Sequence, residues 1–241
     1  MPSVASPRIP TQRRLRIAIS ILLVVVSAAC SGGGKKQYQP IPWRGADPID
    51  EIDGYIDAHP VDKANPRWKL RVPRPPAMVR FDPNQEYFWY LTTSEGLIKI
   101  RLETEYAPRH VASTIYLTRL GFYDGLGFHR IIPGFMAQGG DPIGNGAGGP
   151  GFRYAGEFHK KALHDERGIV SMANAGPRTD GSQFFILFKK AEHLDHKHTV
   201  FGIVVEGWGT LRSMEMLGTE KGDPRKPVTI ERAVVGVEAR Q

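Results

Sequence analysis

The chain has 241 residues, of which 41% are hydrophobic and 24% are charged, and this composition excludes a disordered chain and a polytopic membrane protein. A single cysteine, Cys30, excludes an intramolecular disulfide and an all-cysteine metal site. The net charge is +7, but residues 1–29 hold four arginines and no acidic residue, which leaves 28 basic against 25 acidic side chains, or +3, in the rest. So small an excess indicates no nucleic-acid-binding surface, and we expect no nucleic-acid partner.

Residues 1–29 have the order of a secretory signal peptide, with arginines first, then an apolar run from Ile17 to Val26, then small residues. As a helix, residues 17–29 would be about 20 Å long, too short to cross about 30 Å of hydrocarbon. The tract Ser27-Ala28-Ala29-Cys30 resembles a bacterial lipoprotein signal, in which Cys30 is lipidated and becomes the mature N-terminus. We therefore expect an exported protein of the cell envelope, bound to a membrane through this lipid and facing the periplasm or the cell exterior. Cleavage near Ala29 with a free thiol, or an uncleaved anchor, is the alternative.

Residues 30–85 predict a lipid-anchor tether followed by a proline-rich extension. The tract 31–36 is glycine-rich and flexible in composition. Ile49, Ile52 and Ile56 recur at helical spacing and predict a short helix that ends before Pro60. Six prolines interrupt residues 60–83, which is compatible with an extended strap over the following domain or with a linker to it.

Residues 86–241 predict a domain of many short strands and two helices. Apolar stretches at 87–91 and 97–102 flank a turn and predict a β-hairpin. Pro108 suits the first turn of a helix that runs to about Leu120, and a second helix fits Thr210–Leu217. Further apolar runs, separated by glycine or proline, are found at 128–132, 135–138, 168–173, 184–188, 200–205 and 228–237. The pattern favours an all-β barrel.

Three local patterns do not indicate a cofactor, a metal or a covalent nucleophile. Gly144–Gly149 matches G-x-G-x-x-G, but prolines on both sides exclude the strand–loop–helix context of a dinucleotide site. His193, His196 and His198 lie at a polar turn from which alternate side chains diverge, so we expect no bound metal. No serine lies in a G-x-S-x-G elbow. We expect no cofactor.

Three longer motifs resemble those of the cyclophilins. They are FHRIIPGFMAQGGD at 128–141, SMANAG at 171–176 with GSQFFI at 181–186, and LDHKHTVFG at 194–202. The resemblance runs from about Tyr87 to Val237 and implies an all-β fold, a cyclophilin-like eight-stranded closed β-barrel capped by two α-helices. It also implies peptidyl-prolyl cis/trans isomerase activity on proline-containing polypeptides without a cofactor, and we expect a monomer.

The resemblance further implies a catalytic arginine beside a pocket for the proline ring. Arg130 matches the family's catalytic arginine. The positions that match substrate-binding residues are Phe135, Met136, Gln138, Gly146, Ala173, Asn174, Ala175, Gln183, Phe185, His193, Leu194 and His198. His193 stands where many cyclophilins have tryptophan, so we expect only weak binding of the cyclic peptide cyclosporin. A proline-peptide binding module without catalytic activity is the alternative function.

Overall fold

The computed structural model describes residues 42–76 and 79–241. The predicted signal peptide, the lipidation site Cys30 and the tether that follows it lie outside these residues. Within the described part, no helix combines the length and the apolar character needed to cross a membrane. The described residues belong to one compact unit that spans Tyr38–Gln241.

Eight strands form one antiparallel sheet that curls upon itself. In chain order they are β1 (Gln85–Thr93), β2 (Gly96–Leu102), β3 (Arg130–Ile132), β4 (Met136–Gly139), β5 (Ile169–Met172), β6 (Phe184–Leu187), β7 (Val200–Glu206) and β8 (Ile230–Ala239). Their order across the sheet is β3-β4-β6-β5-β7-β2-β1-β8. The predicted hairpin is β1 with β2, in register from Tyr87↔Leu102 to Thr93↔Gly96.

The predicted all-β fold of eight strands is confirmed, but the expected closed barrel is only partly closed. The edge strands β3 and β8 share no ladder. The backbone groups of Ile131 in β3 are used otherwise, because its N–H donates to the carbonyl of Gly222 at 2.7 Å and its carbonyl accepts from Thr219 at 3.1 Å. A single bridge between Gly127 and Thr229 joins the segments that precede the two edge strands.

The described part of the chain has three α-helices, which are the two predicted for the domain and the short one predicted in the extension. Helix α1 (Pro48–Ala58) is the short helix predicted in the extension, and the side chain of Asp47 caps it by accepting the N–H of Ile49 at 2.8 Å. Helix α2 (Pro108–Arg119) begins at a proline, as predicted. Helix α3 (Trp208–Leu217) begins two residues before the predicted start, directly after Gly207 in the left-handed conformation.

The extension lies against the domain and contributes to its core. Ile52 of α1 is fully buried in the main apolar cluster, which also includes Val72. The N–H of Val72 donates to the carbonyl of Pro150 at 2.8 Å, and the Tyr116 hydroxyl donates to the carbonyl of Pro73 at 3.1 Å. Residues 42–76 therefore form a strap fastened to the domain, not a free linker.

Candidate active site

Strand β6 places alternate residues on the two faces of the sheet. Phe184 and Ile186 belong to the main core, whereas Phe185 belongs to a second apolar cluster. The other members of this second cluster are Met136, Ile169, Leu187, Ala191 and Val200, with the partly buried Ile132, Phe135, Ala162, Ala173, Leu194 and Ile203 packed against them. The four predicted proline-pocket residues, Phe135, Met136, Phe185 and Leu194, are thus brought together. We call this second cluster the apolar patch.

Arg130, Gln138 and Phe185 lie in one row across three neighbouring strands, here called the catalytic row. Arg130 is opposite Gln138 in the β3–β4 ladder, and Gln138 is opposite Phe185 in the β4–β6 ladder. Since neighbouring strands are about 4.8 Å apart, the backbones of Arg130 and Phe185 are separated by roughly 10 Å. A proline ring over Gln138 can therefore contact the aromatic ring on one side and the guanidinium on the other.

The Arg130 side chain is exposed, and in the described part of the chain its guanidinium makes no hydrogen bond or ion pair. Its stem packs on the backbone of Gly222, where a Cβ would lie only 2.9 Å from Cγ of Arg130. A side chain at residue 222 would therefore displace the arginine, and the φ of 99° there also favours glycine. Gly222 therefore supports the stem of Arg130, and the guanidinium remains free to donate hydrogen bonds.

Two glutamines connect the row to the glycine-rich loop. Nε2 of Gln138 donates to Oε1 of Gln183 at 2.9 Å. Nε2 of Gln183 donates in turn to the carbonyls of Gly146 and Gly148 at 2.9 and 2.8 Å. Both predicted glutamines and Gly146 thus form one hydrogen-bonded chain.

Asp141, which sequence reasoning missed, holds the same loop from its other end. Its carboxylate accepts the N–H groups of Ile143, Asn145 and Gly146 at 2.7, 3.0 and 2.6 Å. Burial by itself would raise the pKa of Asp141, but these backbone hydrogen bonds outweigh burial and hold the pKa below its ordinary value. An acid directly before a glycine-rich loop is the sequence signal that could have identified this role.

Three predicted residues follow β5 and border the apolar patch. The N–H of Ala173 donates to the carbonyl of Gln183 at 2.9 Å. The Asn174 amide donates to the carbonyl of Lys197 at 3.0 Å, and the N–H of Ala175 donates to the Thr179 hydroxyl at 2.8 Å. Since the Asn174 amide is engaged within the fold, its backbone is the part that remains to hold a substrate chain.

Two predicted histidines lie at the edge of the apolar patch. Nδ1 of His198 donates to the carbonyl of Met172 at 2.9 Å, because a carbonyl can only accept, and its ring meets Phe185 edge to face at 5.4 Å between centroids. His193 is exposed and stacks on Phe135 with centroids 6.0 Å apart. The ring of His198 is thus fixed against Phe185 by its Nδ1, and His193 forms part of the rim.

A buried polar group away from the patch also escaped the sequence analysis. Nδ1 of the fully buried His110 lies 2.6 Å from the Glu157 carboxylate, and Nε2 lies 2.8 Å from that of Asp180. The three residues are far apart in sequence, so no local pattern connects them. No set of three or more His, Cys, Asp or Glu side chains in the described residues is arranged to hold a metal ion.

A cavity of about 830 Å³ opens beside the catalytic row. Gln138 and Gln183 form its near side, together with Ala173–Ala175 and the loop 146–153. Its far wall includes Leu70, Val72 and Arg74 of the strap. No motif in the proline-rich extension indicated that these three residues lie near the site.

Comparisons with known proteins identify the family to which this sequence is similar. The family described as "Cyclophilin type peptidyl-prolyl cis-trans isomerase/CLD" matches residues 88–235. A curated relative, "Peptidyl-prolyl cis-trans isomerase ppi1" of Schizosaccharomyces pombe, is 46% identical over 148 residues, which cover 60% of this chain and 96% of the relative. "Peptidyl-prolyl cis-trans isomerase CYP65" of Arabidopsis thaliana is 45% identical over 163 residues, 66% of this chain, but these are only 27% of that longer protein. This chain thus spans about a quarter of the CYP65 relative.

Solved structures agree as well. The crystal structure of a Cryptosporidium parvum cyclophilin type peptidyl-prolyl cis-trans isomerase is 31% identical, with a TM-score of 0.60, and covers 63% of this chain and 98% of its own. A second structure of the same protein, in the presence of the dipeptide Ala-Pro, is 33% identical with the same TM-score of 0.60 and covers 62% of this chain and 98% of its own.

Proposed function

The chain belongs to the cyclophilin-type peptidyl-prolyl cis-trans isomerase family, and on this premise we propose that it catalyses rotation about X-Pro bonds with Arg130 as the catalytic residue. The observation that carries the proposal is the catalytic row. In this row Arg130, whose guanidinium has no bonding partner in the described part of the chain, is on the strand next to that of Gln138 and two strands from that of Phe185. The relative from Cryptosporidium parvum was crystallised in the presence of Ala-Pro, a proline dipeptide.

The reaction requires no covalent chemistry. Resonance gives the X-Pro amide partial double-bond character, with a barrier of about 18–20 kcal/mol. When the amide twists, resonance is lost and the prolyl nitrogen gains a lone pair that can accept a hydrogen bond. An N–H of Arg130 donates to this lone pair, and the same donor gains little from the planar ground state, so it lowers the barrier selectively.

The apolar patch supplies the remainder of the effect. Uncatalysed isomerisation takes about 10–100 s, so a turnover near 10³ s⁻¹ requires roughly 5–7 kcal/mol of selective stabilisation. One preorganised donor contributes about 3–4 kcal/mol. Phe135, Met136 and Phe185 grip the ring and exclude water, while the backbone at Asn174 holds the flanking chain, and this positioning accounts for the difference.

The substrates we propose are proline-containing segments of exported proteins. The support is the order of residues 1–30, which resembles a lipoprotein signal that ends at Cys30. The same proposal places a monomeric enzyme on the outer side of a membrane, held by its N-terminal lipid. Cyclosporin should bind weakly, since an exposed imidazole at residue 193 offers less apolar area than the tryptophan of many cyclophilins.

An isomerisation assay separates catalysis from the alternative, a proline-peptide binding module. The exchange rate between cis and trans forms of a short Ala-Pro peptide is measured by NMR with and without the purified protein. We expect exchange that rises in proportion to protein concentration. Chemical-shift changes on binding, with exchange no faster than in buffer, would identify a binding module instead.

A further inference from the structure

The cavity beside the catalytic row has a wall that lies outside the family match. That match covers residues 88–235, whereas Leu70, Val72 and Arg74 belong to the strap. The opposite side is formed by Gln138 and Gln183, which also border the proline site. The strap therefore completes a cavity that opens onto the place where the substrate chain passes.

This wall is firmly attached to the domain. Val72 is only 4% exposed and is bonded through its N–H to the carbonyl of Pro150. Within the strap, the Tyr55 hydroxyl donates to the carbonyl of Arg74 at 2.7 Å and fixes the backbone at Arg74. Gly151 approaches the strap so closely that a Cβ there would lie 2.7 Å from the carbonyl oxygen of Leu70. The strap thus holds its position through backbone contacts at several points.

The cavity carries positive charge without a compensating carboxylate. Arg74 and Arg153 both line it, and both side chains are exposed. Nη2 of Arg74 donates to the carbonyl of Arg153 at 3.1 Å, which draws the two residues together. No aspartate or glutamate lines the cavity, and within residues 42–76 and 79–241 neither guanidinium forms an ion pair. Two arginines that line the same cavity without a carboxylate beside them favour a negatively charged group on the ligand.

Strand geometry gives the distance from the proline site to this cavity. Met136 belongs to the apolar patch, and Gln138, two residues later on β4, lines the cavity. Phe185 of β6 also belongs to the apolar patch, and Gln183, two residues earlier and just before β6, lines the cavity. Two residues of extended chain span about 7 Å. A substrate that runs along these strands reaches the cavity within two or three residues of its proline.

We propose that Arg74 of the strap and Arg153 are specificity-determining residues, which make this cavity select an acidic side chain two or three residues from the proline. The inference rests on the proposed isomerase function and names a substrate class for it. The two guanidinium groups attract an acidic side chain that enters the cavity from a substrate chain crossing Gln138 and Gln183, and they repel a lysine at the same position.

The test compares matched peptides that carry Glu, Gln or Lys at the second or third position on either side of the proline. At low salt we expect kcat/KM of the wild type for the best Glu peptide to exceed that for its Gln partner about fivefold, the scale of exposed ion pairs. The ratio should approach one in 0.5 M NaCl, because salt screens exposed charges. Arg74→Gln and Arg153→Gln should each lower the ratio about twofold, and Arg74→Glu should favour the Lys peptide. The control Arg232→Gln, an exposed arginine of β8, should leave the ratio unchanged.

The failure of this inference is distinguishable from failure of the proposed function. Equal kcat/KM for the Glu and Gln peptides, or a ratio that survives both arginine substitutions, would overturn the subsite while isomerisation remains. If no peptide is isomerised, the proposed function is wrong, and NMR titration with the same peptides then decides the subsite. Equal affinities for Glu and Gln peptides would reject it, and tighter binding of Glu peptides that is lost in Arg74→Gln would support it.

Discussion

At the scale of single residues, the proposed chemistry depends on the Arg130 guanidinium, whose stem is supported and whose N–H groups are free. Gly222 supports the stem of Arg130, and Gln138 opposite it is bonded to Gln183 instead of to the arginine. If Arg130 formed a surface ion pair, that pair would have to break before the guanidinium could donate a hydrogen bond to the substrate. The arrangement leaves the full set of N–H groups for the prolyl nitrogen.

Replacing the guanidinium should therefore cost most of the activity. We expect Arg130→Ala to lower kcat/KM at least about 100-fold, the scale of losing one preorganised donor. Arg130→Lys should recover little of it, because a single ammonium lacks the planar fork. NMR exchange on a proline peptide measures both, with Arg232→Ala as the control for loss of an exposed arginine. A folded Arg130→Ala variant with near wild-type exchange would mean that another group donates to the nitrogen.

At the rim, His193 should affect inhibitor binding more than turnover. Its exposed ring stacks on Phe135 at 6.0 Å, so a tryptophan there would extend the apolar rim and add an indole N–H. We expect His193→Trp to strengthen cyclosporin binding by about 1–2 kcal/mol, measured by isothermal calorimetry, with a much smaller change in peptide turnover. Glu192→Trp, the neighbouring exposed position, is the control for added aromatic area. Equal affinities of wild type and His193→Trp would show that residue 193 does not shape the site.

The role of a residue could be predicted from the sequence where a family motif contains that residue. It could not be predicted where the role depends on a tertiary contact. Phe135, Met136 and Phe185 lie within motifs, and the structure brings them together on one patch. Asp141 ends the first motif without a role that the motif itself assigns, and Arg74 lies in no motif. Their contacts, to the loop after β4 and to Arg153, depend on how the folded chain returns to the same place.

At the scale of elements, the strap is held by residues that lie far from it in the sequence. Helix α1 packs on α2, and its Ile52 is fully buried, although most of the segment is exposed. The 3.6-residue spacing of its isoleucines predicted a helix. It could not predict the surface that the helix covers, because that surface belongs to residues more than 50 positions away.

Two substitutions in α1 test this packing with opposite signs. Ile52→Ala should lower the free energy of unfolding by about 2–5 kcal/mol, the range for truncating a buried aliphatic side chain. Gly54→Ala, in the same helix, should raise it by about 0.5–1 kcal/mol, since a Cβ there meets nothing within 4 Å and glycine is a poor helix former. Urea denaturation measures both values. An Ile52→Ala variant as stable as the wild type would contradict the packing of α1 on the domain.

Helix α2 receives its N-terminal cap from a distant carboxylate. Glu157 accepts the N–H groups of Arg109 and His110 at 3.1 and 2.9 Å, in addition to its contact with the His110 ring. Burial alone would raise the pKa of Glu157, but the hydrogen bond and charge of His110, with the two backbone donors, hold it below its ordinary value of 4.5. The folded state therefore releases this proton at lower pH than the unfolded chain does.

This difference sets the direction of a pH effect. Stability from Glu157 is fully present above about pH 4.5 and is lost as the pH falls through the folded pKa, because the unfolded chain binds the proton first. We expect Glu157→Gln to be less stable at pH 7 and to lose less stability than the wild type between pH 5 and 3. Urea titrations across this range measure it, with Glu231→Gln on β8 as the control. Identical acid slopes for wild type and Glu157→Gln would contradict the assigned role.

The elements that sequence reasoning located well are those whose conformation is set by residues close to them in the sequence. The β1–β2 hairpin closes through bonds within four residues, since the Thr93 hydroxyl donates to the carbonyl of Gly96 at 2.7 Å and accepts the N–H of Glu95 at 3.1 Å. The partly open barrel has a non-local cause. Loop 219–222 is hydrogen-bonded to the edge of β3 with which β8 would otherwise pair. The sequence of neither strand predicts that the loop lies there.

At the scale of the whole molecule, the membrane attachment proposed above depends on Cys30, which lies outside the described part of the chain. Cys30→Ala should prevent lipidation and leave the protein soluble or retained as an uncleaved precursor. Partitioning between aqueous and detergent phases tests this, and we expect the wild type in the detergent phase and the variant outside it. Recovery of both proteins in the aqueous phase would refute a lipid anchor.

The pairing of β1 with β8 also orders the biosynthesis of the domain. Gln85 pairs with Ala239 and Thr93 with Ile230, so the first strand made has the last strand made as its neighbour. At about 5–20 residues per second, on the order of ten seconds separates the two strands on the ribosome. During this interval β1 presents an open edge, the kind of surface on which other chains add strands. The sheet can therefore be completed only once residues 230–239 have been made, and a chain truncated before β8 would leave this edge of β1 open.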